Sequence, residues 1–348
     1  MLANNRPARF VPPTSAAIEL VGRSAAIVRA QELVRRAAIL DTGVLIVAER
    51  GSDAESVARE LHVRSRSAAA PWIPFECAGG DASSLNRLLF GRLPDSAPTD
   101  LESISADSRL AAARGGTIFL QDVGELPASL QARLARIARD GEVRIDGAPV
   151  ATDLRFVASA LPSIDAEVRE NRFRTDLYRR LAASRIDLPA LRDRPDDVPA
   201  LAERLLDGVV AAGDHVDHVD TLDNLDRGEG VAPRFAQAAL ALLAALSWPG
   251  NLAELRAVVE RAAAERGVGM IQVEHVLPAL KLERAQAPFA PAGNLREARL
   301  RFERDYIAAV LQHHGWRMAE AATTLGIQRP NLYRKVRQLG IPIARSSE

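Results

Sequence analysis

Lysine, cysteine and net charge are what this sequence has least of. Two of its 45 basic residues are lysine, Lys281 and Lys335, and the acidic residues also number 45, so the formal charge is zero. A neutral molecule exerts no long-range pull on a polyanion, which confines any nucleic-acid attraction to a local patch. The single cysteine, Cys77, cannot close an internal disulfide. That excludes a disulfide scaffold and fits a core thiol in a reducing compartment. Aromatics make up 4% of 348 residues, and no apolar run approaches the length that spans a bilayer. Met1 to Pro13 combines polar residues with prolines and has no apolar segment of the signal-peptide kind, so the sequence predicts a cytoplasmic protein without a membrane partner. With 47% hydrophobic and 26% charged residues, the chain has a globular composition and room for two or three domains.

What is present is organised around Gly115-Gly116-Thr117-Ile118-Phe119-Leu120-Gln121-Asp122. An apolar run after a Gly-Gly turn signal reads as a parallel strand buried on both faces. In open α/β sheets ligands bind beyond the carboxyl ends of the strands, which is where Gln121 and Asp122 fall. Upstream, an amphipathic helix follows Leu20, with Ile27, Leu33, Val34 and Ala37 on one face. Val44 to Val47 is a buried strand, then come the turn Ala48 to Asp53 and a helix to about His62. Strand, turn, helix is the setting of a phosphate-binding loop. Trp72 to Cys77, Val143 to Ile145 and Leu154 to Ala158 read as further strands, the last of them central. Strands alternating with helices predict a doubly wound parallel sheet. From about Ile186 the pattern is helical only. Asp214, Asp217, Asp220, Asp223, Asp226 and Glu229 recur every third residue and read as a solvated acidic insertion rather than a metal site.

The loop Ala48 to Glu55 fits the G-x-x-x-x-G-K-[ST] pattern poorly. Its lysine position is Ala54, while Gly51 and Ser52 leave backbone amides for an anion at the helix N-terminus. A hydrogen bond to a charged group is worth roughly 1.5–3 kcal/mol, so losing the lysine costs about tenfold to a hundredfold in affinity. Arg50 either reaches inward as a substitute or stands as a solvated loop residue.

Leu20-Val21-Gly22-Arg23-Ser24, Gly115 to Leu120, Gly124-Glu125-Leu126-Pro127, Phe173 to Leu181 and Trp248-Pro249-Gly250-Asn251-Leu252-Ala253-Glu254-Leu255 occur in one order. This set resembles the AAA+ domain of bacterial enhancer-binding proteins, the activators of sigma-54 RNA polymerase, followed by a Fis-type DNA-binding domain; no receiver or sensory domain is read before it. The resemblance implies a fold of the α/β class: an AAA+ doubly wound parallel sheet with an α-helical lid, then an all-α helix-turn-helix domain. It also marks departures. Ala54 stands at the Walker A lysine, Gln121-Asp122 at the Walker B pair, Phe156 to Leu161 at sensor I without its Thr-Asn, and Ala253 at the sensor II arginine. Gly51, Ser52 and Asp122 are left as a residual nucleotide pocket, at which ATP either binds weakly or no longer binds, and four altered elements lead to the expectation of a non-enzyme. Arg174 and Arg180 match arginines that act across a subunit boundary in the family, or are inherited scaffold ion pairs. Asp95 to Asp100 replaces the sigma-contacting loop with polar residues, from which direct engagement of sigma-54 is not expected.

Leu295 to His313 reads as a long amphipathic helix, Ala319 to Leu325 as a short one, Gly326 as a turn and Gln328 to Leu339 as a recognition helix. Between His313 and Glu348 six basic residues oppose Glu320 and Glu348, which supplies the local patch. Gln328, Arg329 and Asn331, with Tyr333 beside them, suit base edges. Arg317, Arg334, Lys335 and Arg337 suit phosphates. The expected layout is a tail over 1–19, an AAA+-like domain over 20–185, a lid over 186–284 with the acidic insertion near 213–230, a linker over 285–294 and a DNA-binding domain over 295–348. The expected partners are double-stranded DNA, further copies of the chain in a dimer or larger assembly, and RNA polymerase or a homologous AAA+ activator.

Overall fold

The computed structural model describes residues 17–91, 101–213, 233–266, 269–286, 307, 311, 316–325 and 328–338. The chain divides into two compact units, 1–285 and 286–348. In the first, α1 (Ala25–Ile39), β1 (Val44–Val47), α2 (Ala54–Val63), β2 (Trp72–Glu76), α3 (Ala82–Phe90), β3 (Ser103–Ile104), α4 (Arg109–Ala112) and β4 (Thr117–Gln121) follow one another. Next come α5 (Ala128–Asp140), β5 (Glu142–Ile145), β6 (Ala148–Ala151), β7 (Arg155–Ala160), α6 (Ile164–Arg169), α7 (Thr175–Leu181) and β8 (Ser184–Asp187). A helical part follows, with α8 (Val198–Gly213), α9 (Gln237–Ala244), α10 (Asn251–Arg266) and α11 (Val273–Gln286), and a small pair of strands, β9 (Arg234–Phe235) and β10 (Met270–Ile271).

The main sheet runs β2-β4-β7-β1-β8, with every neighbour parallel. The expected doubly wound sheet is present, and its central strand is β7 as read. Ile118, Phe119 and Leu120 are fully buried because both sheet faces are covered. Leu45, Leu85, Leu89, Ile118, Leu120 and Leu134 pack on one face, and Ile27, Val34, Val57, Leu61, Phe119 and Val157 on the other. Three sequence expectations are corrected. Leu33 is 40% exposed, and the buried stripe of α1 is Ile27, Ala30, Val34, Ala37 and Ala38. Val143 to Ile145 is not in the main sheet: β5 pairs with β3 and β6 in a separate three-stranded one. Residues 184–187, where the helical pattern was taken to begin, form the fifth strand of the main sheet.

Two motifs have visible causes. Asp197 accepts hydrogen bonds from the Arg23 and Ser24 amides at 2.7 and 3.0 Å and from the Ser24 hydroxyl at 2.6 Å, and Ser24 in turn caps α1. A side chain at Gly22 would collide with that carboxylate, so the Leu20 to Ser24 segment requires glycine there. In Trp248 to Asn251, the Trp248 indole N–H donates to the Leu243 carbonyl at 2.8 Å and its ring is fully buried in the lid core. Trp248 and Asn251 both have positive φ, 47° and 50°, which turns the chain sharply into α10.

In the second unit, helices Met318–Thr324 and Arg329–Gln338 enclose a core of Ile307, Leu311, Met318, Ala321, Ala322, Leu332 and Val336. The expected long helix over 295–313, apart from Ile307 and Leu311, lies outside the described residues, as do Gly326, Leu339, the acidic stretch 214–229 and the loop 95–100. Among the described residues no helix is long and apolar enough to cross a membrane.

Candidate functional site

A cleft of about 230 Å³ lies at the carboxyl end of the main sheet, between the 48–55 loop, Gln121-Asp122 and Ser159 to Leu161. The sequence-expected residues Gly51, Ser52, Ala54, Gln121 and Asp122 all line it. Asp122 sits in the left-handed region, at φ 52° and ψ 53°, and its amide donates to Ser159 Oγ at 2.9 Å, so neighbouring strand β7 fixes its placement. Burial pushes its carboxyl above the usual range; Arg50 opposes this and Glu76 adds to it. Gln121 closes β4, and its carbonyl accepts the Cys77 amide at 3.0 Å.

The lid closes the back of the loop. Asn251, 1% exposed, accepts the Leu191 amide at 2.9 Å and donates to the Arg50 carbonyl at 2.9 Å and to Glu49 Oε2 at 3.4 Å. Ala253 presents a methyl at the expected arginine position, but its amide donates to the Gly51 carbonyl at 2.9 Å. Gly51 has φ 82°, and a side chain there would strike the Gly250 carbonyl. Arg192 grips Glu49 through two hydrogen bonds, at 2.7 and 2.6 Å, and holds its carboxyl below the ordinary range. Asp53 caps α2 by accepting the Ser56 amide at 3.1 Å, and Arg256 of α10 approaches its other oxygen at 3.4 Å. Beneath the loop, the fully buried Glu19 pairs with Arg194 and accepts the Asp53 amide at 3.0 Å. Arg192, Arg256 and Glu19 had no signature in the sequence. Asn251 did, as the last residue of the Trp-Pro-Gly-Asn turn.

Chemically, the cleft presents cation, donor and carboxylate in one place. Arg50 is 81% exposed in its side chain, with Glu125 at 3.8 Å, so its guanidinium is free to swing toward a ligand. The Ser52 hydroxyl is buried without a partner. First-turn amides of α2 have no intrahelical acceptor and face outward from a helix N-terminus. Asp122 is the carboxylate on hand for a hard divalent cation. This donor set fits a phosphate chain carrying such a metal. Arg174 and Arg180 do not line the cleft. The first is paired with Asp176 at 2.7 Å and the second donates to the Ala138 carbonyl at 3.0 Å.

In the second unit, Arg329, Asn331, Tyr333 and Arg334 are exposed along one helix, Gln328 is exposed just before it, and Lys335 is half-buried. Arg329 lies over the Tyr333 ring at 5.8 Å, and Arg334 donates to Asn331 Oδ1 at 3.3 Å. Arg317, on the preceding turn, pairs with Glu320 at 3.0 Å. The side chain of Arg337 lies outside the described residues.

Comparison with known proteins gives the family. Residues 20–187 match the Sigma-54 interaction domain, residues 218–291 an AAA+ ATPase lid domain and residues 299–339 the bacterial regulatory protein Fis family. The Nif-specific regulatory protein of Enterobacter agglomerans is 33% identical over 89% of this chain and 57% of its own length. The alginate biosynthesis transcriptional regulatory protein AlgB of Pseudomonas aeruginosa is 32% identical over 92% of this chain and 68% of its own. A crystal structure of NtrX from Brucella abortus in complex with ADP superposes with TM-score 0.61 at 28% identity, covering 93% of this chain and 69% of that one, and NtrX has also been solved with ATP. This chain spans 57% and 62% of two of the Nif-specific regulatory proteins it matches.

These relatives overturn the expectation of a non-enzyme that Ala54, Gln121 and Ala253 suggested. Sigma-54 activators are typically ATPases, and NtrX takes adenine nucleotides on the same fold. The side chains missing at fixed motif positions have not closed the cleft, which Arg50, Gly51, Ser52 and Asp122 still line. By its matched domains and its relatives, this chain belongs to the family of sigma-54-dependent, AAA+ transcriptional regulators with a Fis-type helix-turn-helix DNA-binding domain.

Proposed function

We infer that this chain is a sequence-specific DNA-binding regulator acting with sigma-54 RNA polymerase, and that its α/β part takes an adenine nucleotide with a divalent metal in the 230 Å³ cleft. The observation that carries this reading is the exposed Arg50 guanidinium, paired only at 3.8 Å with Glu125, near Asp122 and the orphaned Ser52 hydroxyl. Arg50 and the α2 amides hold the phosphates, Ser52 gives a hydroxyl hydrogen bond, and Asp122 holds the metal. A bound nucleotide supplies a cleavable phosphoanhydride. The lid senses the loop through Asn251, Ala253 and Arg192, since each of them touches its main chain or Glu49.

On DNA, Gln328, Arg329 and Asn331 read bases while Arg334 and Lys335 hold phosphates, with Arg317 and Arg337 assisting. The Arg329–Tyr333 stack reduces the freedom the arginine loses on binding. Self-association places Arg174 and Arg180 near a neighbouring copy, once their present partners release them.

The test is a titration of the protein with labelled ATP and magnesium, read alongside phosphate release. Arg50→Ala should weaken binding by about tenfold to a hundredfold, the worth of a charge-assisted hydrogen bond. Absence of nucleotide binding by the unaltered chain at millimolar ATP would sink the cleft assignment, and DNA footprinting would still test the helix-turn-helix separately.

A further inference from the structure

The cleft at the carboxyl end of the sheet is short of positive charge. Its charged walls are Glu49, Arg50, Asp53, Glu55 and Asp122, one cation against four carboxylates. A phosphate chain entering such a place needs further cations, because like charges held close in a partly buried site repel strongly. Three arginines stand just outside it, each on one of these carboxylates: Arg192 on Glu49, Arg59 on Glu55 and Arg256 on Asp53.

They differ in how firmly they are held. Arg192 takes Glu49 with both terminal nitrogens, at 2.7 and 2.6 Å, and that bidentate pair ties the lid to the loop. Arg59 reaches back along α2 to Glu55 at 3.1 Å, and its guanidinium also lies 5.4 Å from the centre of the Trp72 ring. Arg256 makes a single contact, Nη2 to Asp53 Oδ2 at 3.4 Å, and its side chain is 42% exposed. An exposed pair of that length contributes little to stability. Asp53 also keeps its structural task without it, since Oδ1 caps α2 through the Ser56 amide at 3.1 Å. Of the three, Arg256 is the cation most easily recruited.

Helix α10 brings it to the right place. Asn251 donates to the Arg50 carbonyl, the Ala253 amide donates to the Gly51 carbonyl, and Arg256 reaches Asp53, so the first turns of the helix follow the loop up to the start of α2. Residues 253 and 256 are neighbours on one helix face, where Ala253 offers a methyl and Arg256 the charge. We propose, on the reading of the cleft as a nucleotide site, that Arg256 is a phosphate-binding residue delivered by the lid, whose guanidinium exchanges Asp53 for oxygens of the phosphate chain when a nucleotide enters. The lid then meets the ligand directly, in addition to its contacts with the loop.

Titration of the full chain with labelled ATP and magnesium tests this. Arg256→Gln should weaken binding by about tenfold or more, the worth of a charge-assisted hydrogen bond, while the urea midpoint stays close to that of the unaltered chain because the pair it removes is exposed. Asp53→Asn should tighten binding, since asparagine caps a helix as well as aspartate does and one repelling carboxylate is gone. The two substitutions together are decisive. With Asp53→Asn the ion pair no longer exists, so an arginine that only neutralised Asp53 would have no remaining effect, whereas one that holds phosphate still costs about tenfold when Arg256→Gln is added. Disappearance of the Arg256→Gln effect in that background, or no effect in either, overturns the proposal. If Arg50→Gln weakens binding and Arg256→Gln does not, the cleft stands and the lid arginine alone falls; if the unaltered chain binds no ATP, both fall together.

Discussion

Replacing Asn251 with alanine tests how firmly the lid is tied to the nucleotide loop. The amide accepts from Leu191 and donates to Arg50, both at 2.9 Å, and it is 1% exposed, so water cannot take its place. Truncation leaves one buried amide and one carbonyl without partners, at about 1–3 kcal/mol each. Alanine must also hold the φ of 50° seen at this position, a left-handed conformation that costs about 1 kcal/mol outside glycine. Together these give about 3–5 kcal/mol, toward the lower part of the sum because the loop lies beside an open cleft. Asn251→Gly should recover about 1 kcal/mol of it by removing the backbone strain while leaving the lost bonds. Urea unfolding followed by tryptophan fluorescence is suited to the measurement, since Trp248 is buried three residues away. A loss below about 1 kcal/mol for the alanine variant, or no difference between alanine and glycine, would refute the claim that this amide carries the contact.

Three further outcomes are expected. Cys77 is 1% exposed, and burial, with smaller contributions from Asp122 and Glu76, pushes its thiol pKa up to about 12; it should resist thiol-labelling reagents in the folded protein and react at the rate of unfolding, and rapid labelling under native conditions would contradict this. Glu49 is held by Arg192 below its ordinary value of 4.5, so its contribution to lid docking is present above that value and disappears as pH falls through the lower, folded-state pKa; Glu49→Gln should remove this acid-dependent part of the urea midpoint, and identical acid profiles would disprove it. On DNA, Arg329→Ala should erase site preference in a footprint, whereas Arg334→Ala should weaken binding to all sequences and reduce the slope of affinity against salt by about one phosphate contact; a preserved footprint in the first variant would count against base readout by Arg329.

Much of the architecture was legible because burial leaves a mark on composition. Ile118 to Leu120 could hardly be anything but a covered strand, and the order of turn motifs indicated the lid and the helix-turn-helix. β8 escaped because Arg185 and Asp187 interrupt its apolar signal: it is an edge strand, and its arginine is paired with Asp165 and Asp187 at 2.9 Å. The strand character of Val143 to Ile145 was readable, but alternation does not say which partner a strand takes. Leu33 illustrates the same limit, since a helix face assigned from spacing can be wrong by one position. In the cleft, the positions that lost their usual side chains were plain to see. What replaced them was not, because Glu49 and Arg192 are 143 residues apart and Asp53 and Arg256 are 203 apart. Judging the pocket by absent groups alone led to the mistaken expectation of a non-enzyme.

The meeting of Gly51 with Gly250 bears on how such a domain changes over time. Because the two segments also touch through peptide groups, their fit does not depend on the side chains that point into the cleft, provided Asn251 is kept and neither glycine acquires a side chain. Mutation can therefore exchange the reactive inventory of the chamber while its outline is inherited intact, so contour and chemistry drift at separate rates.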